Sequence, residues 1–177
     1  MQVIDYLFKK REVVKPIIDS YYAAGCAFTD GTHVLAGFQP NKDAAYISGF
    51  GGKRLECETY EYTAVRETIE EIFDIEPTYE IVRGIIDNLK PTKPINLTGY
   101  MVLQYSFKDL EWIMSFLEKF SKESIIYKVW PKTISDLIFL RSPKPTSEIS
   151  VLCILPLVKN LEIDSNFKKD LNRISAV

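Results

Sequence analysis

A chain of 177 residues that is 46% hydrophobic and 26% charged, with a net charge of -2, has the apolar content for one core of ordinary size. That balance excludes a disordered chain and one drawn to polyanions by bulk charge. Cys26, Cys57 and Cys153 lie far apart with no C-x-x-C pair, and His33 is the only histidine, which excludes a Cys/His zinc centre and a histidine-based triad and fits a reducing compartment.

Residues 3–22 read as a mixed apolar and charged lead-in broken at Pro16, with the charge after the apolar residues, the reverse of a secretory signal. Ala23–Phe28 and His33–Phe38 are short apolar runs joined across Thr29-Asp30-Gly31-Thr32, a hairpin pattern. A polar loop, Gln39–Asp43, leads to an extended piece at Tyr46–Ser48 and then to a glycine cluster, Gly49-Phe50-Gly51-Gly52. Thr59–Phe73 is expected to be a helix, with Tyr62, Val65, Ile69 and Ile72 as its buried stripe.

Tyr79–Ile86 and Leu97–Phe107 read as strands separated by the Pro91–Pro94 loop, and Asp109–Phe120 as an amphipathic helix with Leu110, Ile113, Met114, Leu117 and Phe120 on one face. Ile125–Trp130 is expected as a strand and Thr133–Phe139 as a short helix, followed by one or two C-terminal helices interrupted near Pro156. The longest apolar run, Val151–Val158, is too short to span a bilayer. The expected product is an intracellular, cytoplasmic protein away from membranes. It has no internal repeat or linker, and so reads as one domain over 1–177 with extra helical segments at both ends. Irregular alternation of strands and helices points to α/β architecture, a mixed sheet sandwiched by helices.

The chemistry concentrates in Gly52–Asp74. Glu67, Glu70 and Glu71, spaced i, i+3, i+4, put three carboxylates on one side of the helix, where like charges cost a few tenths of a kcal/mol per pair. A cation should compensate: Arg66, one turn from Glu70, or a hard divalent metal, since oxygen-only ligands suit Mg²⁺ or Mn²⁺. A solvated acidic face is the alternative for such a helix taken alone.

Gly52, five residues, Glu58, seven residues, Arg66-Glu67, two residues, Glu70-Glu71 resembles the signature of the Nudix hydrolases. Six fixed positions at that spacing arise by chance about once in 10⁷ starting points. Three positions depart from the family pattern: Phe73 stands where the helix usually ends in Gly, Asp74 stands at a usually aliphatic position and becomes the candidate left-handed cap, and Thr68 replaces an aliphatic residue.

The resemblance implies an α/β/α sandwich with a mixed sheet and a catalytic loop-helix-loop. It also implies hydrolysis of a pyrophosphate linkage in a nucleoside diphosphate-linked substrate, by water attacking phosphorus with Mg²⁺ or Mn²⁺. By position it makes Glu67, Glu70 and Glu71 the metal carboxylates, Arg66 the residue that orients a glutamate, and Gly51 a backbone carbonyl ligand. Glu58 is either a ligand or a helix-start partner for Arg66, and Lys53 either meets phosphate or is solvated. A further acid across the pocket is expected at Glu123, with Asp109 and Glu111 as fallbacks.

GFGGK at 49–53 resembles the start found in hydrolases of oxidised purine triphosphates, with Ser48 in place of an Asn that reads the base edge; some viral decapping relatives share the GGK start, so capped RNA competes with a free nucleotide as partner. Phe28, Phe50, Tyr46, Trp112 and Trp130 are candidate stacking rings. Trp112 and Phe116 form a second aromatic strip suited to a base, to a second copy of the chain, or to the core. A silent Nudix-fold module that binds nucleotide or cap without turnover is the alternative function; the intact carboxylates favour catalysis.

Overall fold

The structure, a computed structural model, describes residues 21–40, 46–120, 124, 126–158, 163 and 165–174. Residues 1–20, the expected helical lead-in, lie outside them. Among the described residues a seven-stranded mixed sheet forms from β1 (Ala23–Thr29), β2 (His33–Gln39), β3 (Tyr46–Ser48), β4 (Phe50–Lys53), β5 (Thr92–Leu97), β6 (Tyr100–Ser106) and β7 (Val151–Pro156). The helices are α1 (Tyr60–Phe73), α2 (Tyr79–Asn88), α3 (Phe107–Leu117), α4 (Ile134–Phe139) and α5 (Ser165–Ile174).

β1 is the hub. Every residue of it is buried, as expected of a strand with helices over both faces. It runs parallel to β6 from Ala23↔Tyr100 to Thr29↔Ser106 and antiparallel to β2 and β4. One face carries the larger core, where Phe28, Leu35 and Phe50 meet Val65, Ile69 and Ile72 of α1 and the apolar sides of α2 and α3. The other face carries a smaller cluster in which Ala27, Val34, Ala36 and Val102 pack against Phe167 and Leu171 of α5. This is the α/β sandwich that the alternation of elements predicts.

The structure corrects several elements. The glycine cluster does not stay a loop: Phe50–Lys53 is a strand whose Gly51 pairs with Gly25 of β1. The absence of side chains at both positions lets the two backbones approach. Tyr79–Ile86 is not a strand. Its β-branched residues mask a helical spacing in which Ile81, Val82 and Ile85 are buried at i, i+1, i+4. The Pro91–Pro94 segment is not a separating loop but the start of β5, an outer strand of the sheet, where proline is tolerated. β5 and β6 join through Thr98 and Gly99, both at positive φ (56° and 90°), as a tight hairpin turn requires.

Of the strand expected over Ile125–Trp130, Tyr127 alone pairs among the described residues, in a single bridge to Arg141; Trp130 instead stacks on Phe73 with its ring nitrogen donating to the Met114 carbonyl. The expected C-terminal helices are a strand and a helix: Val151–Pro156 pairs antiparallel with β2 before α5 begins. Phe120, expected on the core face of α3, lies beyond its end and is 56% exposed.

α1 begins and ends by different means. Thr59 caps its start, accepting from the Tyr62 amide at 3.3 Å. At its end the last four carbonyls have no partner within the helix proper. Asp74, left-handed at φ 54° and ψ 42°, returns its N–H to Glu70 O at 2.9 Å, as the departure from Gly predicts. Arg141 donates to Glu71 O and Ile72 O, and Ser124 Oγ to Phe73 O at 3.0 Å. Phe73 is buried under Trp130, so its side chain fastens the helix end where a glycine would leave a gap.

Asp74→Ala is expected to cost about 1 kcal/mol, because alanine lacks the local hydrogen bonding that lets Asp tolerate positive φ. Asp74→Gly should stay within about 0.5 kcal/mol of the parent, its backbone freedom offsetting the half-exposed Lys144–Asp74 pair at 3.4 Å. Urea midpoints of the two variants check the ranking.

Candidate active site

The spacing of the acidic residues becomes geometry around one guanidinium. Arg66 is 9% exposed. Its Nε reaches Glu58 Oε1 at 2.7 Å, Nη2 reaches Glu67 Oε1 at 2.9 Å, and Nη1 reaches Glu70 Oε2 at 2.9 Å. Nη2 also donates to the Lys53 carbonyl at 3.1 Å, tying α1 to the end of β4. A planar fork of five donors is what such an arrangement needs; a lysine could not supply it.

Glu58 is a helix-start partner as well as an ion-pair partner: its carboxylate accepts from Arg66, the Leu55 amide and Thr63 Oγ1. Burial pushes its carboxyl up, but these donors and the Arg66 charge outweigh it and leave the pKa below the usual glutamate value. Glu70 goes the other way. Burial raises its pKa, Arg66 opposes, and the neighbouring Glu67 charge adds to the rise, so the net shift is upward. That shift records chiefly the burial of the Glu70 carboxyl, with the neighbouring carboxylate adding to it.

Glu71 is buried and points at β4, where its Oε2 accepts from the Gly51 amide at 2.8 Å. The lack of side chains at 51 and 52 has two separate reasons. A Cβ on Gly51, whose φ is 148°, would stand 2.5 Å from the Gly25 Cα and 2.6 Å from the Ala24 carbonyl oxygen. A Cβ on Gly52 would stand 2.3–2.6 Å from the carboxylate of Glu67 and nothing closer. Gly51→Ala is therefore expected to push strands apart and cost at least about 2 kcal/mol. Gly52→Ala displaces the far end of a flexible side chain; stability should hold within about 1 kcal/mol while activity falls. Thermal unfolding beside an activity assay separates the two.

Glu67, Glu70, Glu71 and Asp74 line one wall of an open cleft of about 200 Å³; Arg141, Thr146, Ser147 and Glu148 line the rest. The donor set fits a hard divalent cation, being all oxygen, and Gly52 leaves room for the Glu67 carboxylate beside the backbone. In the arrangement described, Glu67 and Glu70 turn to Arg66 and Glu71 to Gly51, and among the described residues no three Asp, Glu, His or Cys side chains are disposed to hold a metal ion.

Other expected site residues fall elsewhere. Phe28 and Phe50, expected against substrate, are fully buried in the core because α1 covers their face of the sheet; Phe28 stacks on Tyr105. Lys53 is exposed and contributes its carbonyl to Arg66. Ser48 is half-buried in β3, its Oγ without a hydrogen-bond partner among the described residues, and is not among the cleft-lining residues. Glu123 lies outside the described residues. Trp112 and Phe116 stack on each other at 5.1 Å, half-buried, with the Phe116 ring tip seated where a side chain on Gly84 of α2 would be. Glu148 and Arg141 are the charged cleft residues that sequence reasoning missed. Neither belongs to a spaced motif; the pairing of β7 with β2, the Tyr127–Arg141 bridge and the bonds of Arg141 to the last carbonyls of α1 bring them there.

No family model and no curated protein matches the chain. Among solved structures, it is similar to a hydrolase of the NUDIX family from Clostridium perfringens, at 15% identity over 88% of this chain and 96% of that one, with a TM-score of 0.42. It is also similar to the E. coli ORF135 protein, at 21% identity over 48% of this chain and 56% of that one, with a TM-score of 0.26.

Proposed function

We propose that this chain is a hydrolase dependent on Mg²⁺ or Mn²⁺ that cleaves a pyrophosphate linkage in a nucleoside diphosphate-linked substrate, by attack of water on phosphorus. The observation that carries the reading is the gathering of Glu58, Glu67 and Glu70 on the buried Arg66, with Glu71 held by the Gly51 amide, at one edge of a single cleft. Building three or more carboxylates around one helix end costs repulsion, and their partial burial adds a desolvation that a solvated surface helix would not incur.

Glu67, Glu70 and Glu71 are the residues that would hold the ion, with the Gly51 backbone beside them. When bound, a divalent ion supplies Lewis acidity toward water and phosphate oxygens. The chain's own contributions follow from its geometry. Arg66 fixes which oxygens of Glu67 and Glu70 face the cleft. The Gly51 amide orients Glu71. Glu148, on the opposite wall, is the acid that faces them among the described residues and stands where a further acid would act, beside the role expected of Glu123, which lies outside those residues.

The test is incubation with Mg²⁺ or Mn²⁺ in H₂¹⁸O against a panel of nucleoside triphosphates, dinucleotides and capped RNA, with products read by mass spectrometry. Label is expected on a phosphate product. Label found on ribose alone would reject attack on phosphorus, and no turnover of any member would favour a module that binds without cleaving. The same panel ranks free nucleotide against capped RNA.

A further inference from the structure

The carbonyl end of α1 forms the floor of the cleft, and one side chain spans from it to the opposite wall. Arg141 Nη1 donates to Ile72 O, and Nη2 donates both to Glu71 O and to Ile149 O, each at 2.9 Å. Nη1 also lies 3.4 Å from Tyr127 Oη, whose own proton goes to Leu137 O at 2.8 Å. The guanidinium thus bonds the residue whose carboxylate is held by Gly51 and, through the same nitrogen, the residue that follows Glu148. The loop between closes on itself, with the Lys144 amide on Ser147 Oγ at 3.1 Å and the Ser147 amide on Lys144 O at 3.0 Å. Ser150 N–H is anchored to Phe38 O at 2.9 Å.

We infer that Arg141 is a positioning residue, whose Nη2, shared between Glu71 O and Ile149 O, sets the separation between the carboxylate helix and the Glu148 wall of the cleft. The inference rests on the metal-dependent reading above. A cation at a helix C-terminus is favourable on its own account, so a capping arginine that only stabilises the fold is the alternative. The two differ in what they predict for the cleft. A positioning arginine controls the affinity of the site for a divalent ion; a capping arginine controls only the unfolding midpoint. A lysine at 141 keeps the positive charge at the helix end but has one nitrogen, which cannot reproduce the fork across three carbonyls.

The experiment uses the full chain with Arg141→Lys and Glu148→Gln, singly and together. It measures Mn²⁺ binding by the electron paramagnetic resonance of free Mn²⁺, together with thermal midpoints and steady-state kinetics. Each single variant is expected to weaken Mn²⁺ binding about 10-fold, as loss of an outer-shell partner does. The double variant should lose little more than either single one, because both act through one wall. Independent roles would multiply to about 100-fold and would overturn the inference. So would a folded Arg141→Lys with parental Mn²⁺ affinity and only a lowered midpoint. Glu148 is exposed and its replacement does not disturb the core, so unchanged Mn²⁺ affinity in Glu148→Gln overturns the inference even if Arg141→Lys fails to fold. A parent chain that binds no Mn²⁺ sinks the function proposed above and the inference with it; parental binding with unaltered variants sinks the inference alone.

Discussion

Glu70→Gln and Glu71→Gln are each expected to lower turnover by at least about 10²-fold with Mg²⁺ or Mn²⁺, the scale on which loss of a group that answers transition-state charge is felt. The substitution is close to isosteric. A glutamine at 70 still offers Arg66 Nη1 a carbonyl oxygen where Glu70 Oε2 now accepts at 2.9 Å, and one at 71 still offers an acceptor to the Gly51 amide. Glu70 also has a third of its side chain open to solvent. Stability should therefore move by no more than about 1 kcal/mol in the Glu70 variant, leaving lost charge as the cause of lost rate. Near-parental turnover of both variants, measured at saturating metal, would remove the carboxylates from the mechanism.

The second large effect is structural. Arg66→Met removes the cation that Glu58, Glu67 and Glu70 share, and leaves Glu58, with a 9% exposed side chain, without its ion pair. Breaking a buried pair from one side costs about 3–5 kcal/mol, which in a chain of this size lowers the thermal midpoint on the order of 10 °C. Arg66→Lys should fall between, since one ammonium cannot meet three carboxylates at once.

The acid limb of the stability profile provides an independent check. Because the pKa of Glu58 is lower folded than unfolded, the unfolded state binds more protons as pH falls. The stability it contributes is present above its unfolded value near 4.5 and is lost as pH drops through the folded one. In Arg66→Met that dependence should flatten, and denaturant midpoints measured from pH 3 to 7 would show it.

Much of α1 is legible in the sequence, and the reason is that its determinants are local. Thr59 caps from three residues away, Val65, Ile69 and Ile72 recur at helical spacing, and Arg66 lies one turn from Glu70. Asp74 as the left-handed cap follows from the absence of Gly at the helix end. α2 misleads because Ile81, Val82, Ile85 and Ile86 are good strand formers, and their packing against α1 and α3 overrides that preference. β4 misleads because glycine is read as loop, whereas here Gly51 is a strand residue pressed onto Gly25. The far wall of the cleft cannot be read locally at all. Arg141 and Glu148 stand about seventy and eighty positions from the helix they face, in a proline-broken stretch without periodicity, and what places them is register: Leu152 opposite Gly37 and Val151 opposite Phe38.

The split character of α1, capped locally at one end and by distant residues at the other, has a bearing on the order of assembly. A nascent chain released only as far as residue 120 already holds Thr59, the buried stripe and the strands β1 and β6 that receive it, so the first turns of the helix can form and dock. Its final carbonyls must then wait on water until Ser124 and Arg141 arrive. Contacts of such long sequence separation form late, since loop closure must be completed before they contribute. Glu70 and Glu71 sit on those waiting turns. The far wall of the cleft is thus completed only at a late stage of folding, and an incomplete chain carries the whole acidic motif without the cleft it lines.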